Sequence, residues 1–409
     1  MRARLTYALR GLVFVVLAWA VYAGFSRGGQ DFAVFHYAGK LALEGRWDAL
    51  YAEGPDRFLY APGFAFLVSP LAALPVKVAL GIWLAFTLAA FGAAIRMLAR
   101  AHGEIPVYLA ILFSVRPLLI DLRYGQVNLL ILSSAVWALL AWSERTGTRR
   151  AKMNLAASWF VFAIAACAKV YPLALFLFPI GGIIRDGAAG RAHGRPAILG
   201  ALGGAAFLLL PPLVHGGVYA AWFDALARKG LPTDTHNQSL LAFLVRVAGG
   251  EPFNALGLSG ETLRFPGFGL SFPIMRGIWG IFTIGVLAAL ARLALRISGS
   301  FEDARLSAWL GLALCFLPAH LIWKSYFVLG IPLLAGIFAE AKDDEKFRRL
   351  LLPVAAVLGL ALACASGDGV GPRASAWIEA CAPFFWIHLA AVVTGFSRLS
   401  CRASTPRSA

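Results

Sequence analysis

Apolar runs long enough to cross a bilayer recur along this chain, from residues 8–25 to 376–396, and no other feature constrains its fold as much. In hydrocarbon every backbone N–H and C=O must find its partner inside the protein, so continuous apolar runs fold as packed helices. Composition agrees: 60% of the 409 residues are hydrophobic, 13% aromatic and only 14% charged, with a mean hydropathy of +0.74. A soluble globular domain is excluded, and an all-α polytopic membrane protein is expected. The first run has a basic flank, but no small-residue cleavage site follows it and further spans do, so it reads as the first transmembrane helix. The five cysteines, Cys167, Cys315, Cys364, Cys381 and Cys401, show no C-x-x-C spacing and indicate neither a disulfide framework nor a zinc site.

About twelve spans are expected, at 8–25, 76–98, 105–121, 125–143, 153–168, 170–184, 196–214, 273–297, 306–319, 322–340, 348–366 and 376–396. With the N-terminus cytoplasmic, the inside segments hold most of the Lys and Arg, among them Arg2, Arg4, Arg96, Arg100, Arg149, Arg150, Arg191, Arg195, Arg348 and Arg349. That distribution satisfies the positive-inside rule and places both termini in the cytoplasm of a multi-pass plasma (inner) membrane protein. Basic loops beside anionic headgroups account for the net charge of +16, and no nucleic-acid partner is implied.

This orientation gathers the chemically unusual connections on the extracytoplasmic side. One transmembrane domain is expected over 1–397, with a first outer loop at 26–75, a long outer loop at 215–272 and a disordered cytoplasmic tail at 398–409. Residues 31–44 carry Phe32, Phe35, Ala38, Leu41 and Ala42 at helical spacing, which predicts a juxtamembrane helix in the interface. Residues 65–74, ended by Pro75, predict a second one too short to span.

Gln30-Asp31-Phe32 with Tyr37, Gly45 and Leu50-Tyr51, then Tyr60-Ala61-Pro62-Gly63-Phe64 and Ser69-Pro70-Leu71-Ala72-Ala73-Leu74-Pro75, resembles the opening of glycosyltransferase family 87. Gly125-Gln126-Val127-Asn128, Ala168-Lys169-Val170-Tyr171-Pro172 and Asn237-Gln238-Ser239-Leu240 are similar to later motifs of that family, in the same order. The resemblance covers about residues 10–340. It implies a GT-C-like fold whose site lies at the outer face and which inverts the anomeric centre. The implied donor is a polyprenyl-phosphate-linked sugar, mannose by the family's default, and the acceptor is a glycolipid or glycan. The chain departs from the family at Trp323-Lys324-Ser325-Tyr326-Phe327, where many members place histidine after the tryptophan, and at Ala61-Pro62, where a proline pair is common.

Such a transfer needs a base for the acceptor hydroxyl and cations for the departing phosphate. Asp31 is the early carboxylate set beside a span and is the expected catalytic base; it also suits a helix N-cap. Arg123, Lys169, His320 and Lys324, at expected outer ends of spans, are the phosphate-binding candidates, with Arg123 alternatively pairing to Asp121 at the surface and Lys324 alternatively snorkelling to the headgroups. His36, Tyr37, Tyr60, Gln126, Asn128, Tyr171, Asn237 and Gln238 are expected to line the substrate pocket, with helix bracing the competing role for the amides. Arg116, before Pro117, carries no role at this stage. A lone Asp without an Asp-x-Asp or Glu-Asp neighbour predicts no metal, and no cofactor is implied. A transporter would show an internal repeat, which the chain lacks. A lipid-diphosphate-linked saccharide polymerase of the GT-C type would use the 215–272 loop, with His236, Arg246 and Arg264 available.

Overall fold

The computed structural model describes residues 2–52, 58–144, 148–228, 233–254, 258, 261–296, 301–341 and 344–404. Its helices are α1 Arg2–Arg27, α2 Gln30–Leu43, α3 Pro62–Ala72, α4 Val76–His102, α5 Glu104–Phe113 and α6 Val115–Tyr124. There follow α7 Asn128–Ser143, α8 Arg149–Lys169, α9 Leu177–Leu209, α10 Val218–Arg228, α11 Leu240–Phe243 and α12 Phe272–Arg296. The last are α13 Phe301–Leu314, α14 Ile331–Ala341, α15 Glu345–Cys364, α16 Gly367–Val370, α17 Pro372–Ala380 and α18 Pro383–Ser404. Among the described residues there is no β-strand, only isolated bridges at Asn237–Trp323 and Phe253–Leu263. The all-α membrane fold expected from the apolar runs is therefore the observed one.

Seven helices among the described residues are long and apolar enough to span a membrane, or eight if the bent pair α5–α6, which turns by 69°, counts as one. This is fewer than the expected twelve, and the shortfall has local causes. The apolar run at 125–143 yields α7, whose 16 residues at ~1.5 Å each reach only about 24 Å. The run at 306–319 yields the 14-residue α13. The two runs at 170–184 and 196–214 are joined into α9 across a kink at Gly187, whose φ of 54° and ψ of −118° are not helical. Lipid-facing character is plain in α1 and α12, only 17% and 22% buried over their most apolar windows, with Phe14, Trp19, Ile281 and Ile284 exposed.

The chain falls into two compact units: Phe14–Met97 with Leu119–Gly230, and Met1–Val13 with Leu98–Leu118 and Leu231–Ala409. In the first unit, glycines set the helix spacing. A Cβ added at Gly200 or Gly204 of α9 would lie 2.0 Å from Ala156 O or 2.2 Å from Phe160 O of α8, so these helices touch backbone to backbone. Gly63 of α3 meets Leu208 O at 1.8 Å by the same measure, and Gly190 meets Gly182 O at 2.1 Å, folding the two arms of α9 together beyond the kink. The expected interfacial helix is α2, which buries Phe32, Val34, Phe35, Ala38, Gly39 and Leu41, and the expected 65–74 helix is α3, opened by Pro62.

In the second unit the expected outer loop at 215–272, so far as it is described there, contains α11, a π-turn at Leu244–Ala248 and the Phe253–Leu263 bridge. Phe253 and Leu263 pack on Ala376 and Ala380 of α17, with Phe265 and Trp377 against them. A tail is expected at 398–409. Helix α18 continues to Ser404, because nothing after Ser397 breaks a helix before Pro406, and residues 405–409 lie outside the described residues. Residues 53–57, 229–232, 255–257 and 259–260 of the two expected loops also lie outside them.

Gly204→Leu should force α8 and α9 apart and lower stability by about 1–3 kcal/mol, the usual cost of overpacking, read as a drop in detergent-solubilised thermal unfolding. Gly92→Ala, where an added Cβ meets nothing within 4 Å, should leave the transition where it is. Equal behaviour of the two variants would show that glycine does not set the spacing.

Candidate active site

The first unit builds a polar network around Asp31. After α1 the chain turns through Gly28 and Gly29, at φ 80° and 56°, the left-handed region that favours glycine, and a Cβ at Gly29 would press on Leu80 Cδ1 at 2.7 Å. Gly29, not Asp31, is the N-cap of α2; Asp31 stands in the first turn, where the helix N-terminus favours a carboxylate. The next residues anchor the helix. Phe32 and Phe35 pack on Trp83 with ring centroids 5.7 and 6.0 Å apart, and Phe35 meets Tyr60 edge-on at 4.8 Å.

Opposite Asp31 comes the turn between α6 and α7. Gly125 has φ 68°, and a Cβ there would lie 2.7 Å from Phe32 Cβ, while Trp83 Nε1 donates to Gly125 O at 3.0 Å. This close approach delivers Gln126, whose Nε2 donates to Asp31 Oδ2. The Oε1 of Gln126 accepts from Tyr60 OH at 3.1 Å and from Lys169 Nζ at 3.0 Å. Lys169 Nζ also donates to Asn128 Oδ1 at 3.0 Å, and Tyr171 OH donates to the same oxygen at 3.1 Å. Asn128 Nδ2 donates to Asp121 Oδ2 at 2.7 Å. The ammonium of Lys169 lies 5.4 Å from the centre of the Tyr60 ring. The pattern is carboxylate, amide, ammonium, amide, carboxylate, and each amide's orientation follows from the donors and acceptors it meets.

Lys169 and Tyr171 converge because of the residue between them. Val170 caps α8 at φ 63° and ψ −50°, a conformation a β-branched residue rarely adopts. Strain of this kind, of order 1–3 kcal/mol, persists where surrounding contacts over-determine it.

Five expected site residues thus meet Asp31 in one network: Tyr60, Gln126, Asn128, Lys169 and Tyr171. Other expected residues of this unit have these positions. His36 Nε2 bonds to Leu74 O at 2.9 Å, Tyr37 is half-buried on α2, and the Arg123 guanidinium lies 5.6 Å from the Tyr124 ring. Asp121 is not a surface partner for Arg123; it is fully buried. It was legible as an acid inside an apolar run, which is expensive unless paired.

The remaining expected residues belong to the second unit. Asn237 and Gln238 are fully buried and brace the backbone: Asn237 Nδ2 donates to His320 O at 3.0 Å, its Oδ1 accepts from Ile322 N at 3.1 Å, and Gln238 Nε2 donates to Glu379 O at 2.9 Å. The imidazole of His320 is exposed. Lys324 is only 4% exposed and does not snorkel, because its Nζ lies 2.5 Å from Glu379 Oε2. Arg116 takes the other oxygen of Glu379 and donates to Leu362 O and Ala365 O at 3.0 and 2.7 Å. Arg246, fully buried, donates to Ala380 O and Asn237 O, and burial holds its pKa at about 10. Sequence reasoning missed Glu379 altogether, although it too is an acid in an apolar stretch. Among the described residues no three His, Cys, Asp or Glu side chains gather where a metal could sit.

Val170→Gly should leave thermal stability equal or raise it by up to about 1 kcal/mol through released strain, and a clear loss would mean that the valine side chain is held by packing. A second expectation concerns acid. Burial, with Lys324 and Arg116 adding to it, lowers the His236 pKa from 6.5 to about 3. Below pH 6.5 the unfolded chain therefore binds a proton that the folded one refuses, and stability falls. Wild type and His236→Gln should differ progressively as pH drops below 6.5 and have a constant offset above it; parallel unfolding curves at all pH values would refute this.

A family model, glycosyltransferase family 87, matches residues 58–322. The matched stretch includes Tyr60, Asp121, Gln126, Asn128, Lys169, Tyr171, Asn237, Gln238 and His320, and leaves Asp31, Lys324 and Glu379 outside it. No curated protein and no solved structure matches the chain. With the match covering more than half of its length and its helices apolar enough to span a membrane, the chain belongs to glycosyltransferase family 87.

Proposed function

We propose that this membrane glycosyltransferase moves a hexose, mannose by family resemblance, from a polyprenyl-phosphate-linked donor to an acceptor hydroxyl on a glycolipid or glycan, with Asp31 as general base. The observation that carries the reading is the hydrogen bond from Gln126 Nε2 to Asp31 Oδ2. It fixes one carboxylate oxygen of Asp31 and ties it, through Gln126, to the ammonium of Lys169. In the proposed step the acceptor oxygen attacks the anomeric carbon, its proton passes to Asp31, and the carbon–oxygen bond to phosphate breaks with its electron pair leaving on the phosphate. A single attack from the face opposite the phosphate inverts the anomeric centre. The positive charge of Lys169 favours the growing phosphate charge.

Orientation is part of the proposal. Basic residues concentrate in the segments assigned to the cytoplasm, which supports termini inside the plasma (inner) membrane and a site facing the exterior. No metal is assigned a step: one carboxylate takes the proton, and cationic side chains are available for the phosphate. Arg123, in the same unit as Asp31 and Lys169, remains a proposed phosphate contact.

The test uses membranes containing the wild-type chain or Asp31→Asn, supplied with radiolabelled polyprenyl-phosphate mannose and a total lipid extract in the presence of EDTA. Wild type should transfer label, and Asp31→Asn, folded to the same extent, should lose about 10²–10⁴-fold in rate, the usual contribution of a general base. Equal rates would remove Asp31 from the chemistry. Transfer abolished by EDTA would remove the metal-independent reading, and transfer only from diphosphate-linked donors would favour a polymerase.

A further inference from the structure

Asp121 has no role in the chemistry just described, yet it touches both residues that organise the site. Its backbone carbonyl accepts the Gln126 N–H at 2.9 Å, and its Oδ2 accepts Asn128 Nδ2 at 2.7 Å. Asp121 and Asn128 are both fully buried, so neither bond has water as a substitute. The side-chain bond decides which way the Asn128 amide faces. With Nδ2 committed to the carboxylate, Oδ1 must face the other way, toward the donors Lys169 Nζ and Tyr171 OH. Were the amide turned over, its NH₂ would confront the Lys169 ammonium, donor against donor, and its oxygen would confront the Asp121 carboxylate, acceptor against acceptor.

We propose that Asp121 is a positioning residue of this site: by locking the Asn128 amide and the turn that carries Gln126, it holds Lys169 between the two amides and thereby aims Gln126 at Asp31. The proposal rests on the reading of Asp31 as the base. An asparagine at 121 cannot enforce the lock, because its own amide serves either orientation of Asn128. Exchanging the two residues does restore it: a carboxylate at 128 accepts from Lys169, from Tyr171 and from the NH₂ of an asparagine at 121, with total charge unchanged.

The experiment compares wild type, Asp121→Asn, Asn128→Asp and the exchange Asp121→Asn with Asn128→Asp, as full chains, by thermal unfolding and by transfer from polyprenyl-phosphate mannose. Asp121→Asn should lower kcat per folded molecule about tenfold or more, with the donor KM within about twofold, as expected when a reacting group is misaimed and binding is kept. The exchange should recover most of that loss. A purely structural Asp121 would instead lower the unfolding temperature and leave kcat per folded molecule unchanged, which overturns the proposal, as does an exchange no better than Asp121→Asn alone. If wild type transfers nothing from this donor, the functional reading fails separately, and the unfolding data decide the pairing. An exchange less destabilised than the sum of the two single variants supports the lock, and strict additivity overturns it.

Discussion

A charge carried into an apolar helical interior is tolerated only when it brings its partners with it, and both units of this chain are arranged around that cost. In the first, Lys169 sits between Gln126 and Asn128, with Asp31 and Asp121 at the far ends. In the second, Glu379 takes Arg116 on one oxygen and Lys324 on the other, while Arg246 is held by backbone carbonyls. The two solutions differ in kind. Glu379 takes one cation on each oxygen, whereas the neutral amides of Gln126 and Asn128 each join Lys169 to a carboxylate. An amide inserted in this way keeps a direction, because it donates at one end and accepts at the other, and direction is what a proton-accepting carboxylate needs.

Those networks hold only if the backbone elements approach closely, and glycine supplies the approach. Gly125 lets its turn come within reach of Phe32, Gly29 clears Leu80, and Gly63 lets α3 lie against α9. Where a lipid-exposed span needs no such contact, as at Gly277 or Gly280 of α12, an added Cβ would meet nothing within 4 Å. The same residue type therefore marks a steric requirement in the first unit and none in α12.

Much of this was legible from residue patterns. The stripe Phe32, Phe35, Ala38 and Leu41 predicts α2 and its buried face, and the motif residues Asp31, Gln126, Asn128, Lys169 and Tyr171 meet in one network. What pattern could not give was pairing at a distance. Arg116 and Glu379 are 263 positions apart, and neither sequence context names the other. The number of long apolar helices was hard to read for a related reason: apolar runs report composition, while the lengths of α7 and α13, 16 and 14 residues, are set by where the helices stop. From sequence alone Asn237 and Gln238 read as pocket candidates with bracing the more common role for such amides, and their full burial against backbone groups favours the brace.

The amides of the Asp31 network also limit recognition. A carbonyl oxygen has two lone pairs, and those of Gln126 Oε1 are directed to Tyr60 and Lys169, while those of Asn128 Oδ1 are directed to Lys169 and Tyr171. Both oxygens are saturated, so an arriving hydroxyl cannot hand its proton to either without evicting a tyrosine or the lysine. A carboxylate has room for about four such bonds. A proton released by an acceptor therefore has no place on the two amides, and in the proposed reaction it falls to the carboxylate that Gln126 orients.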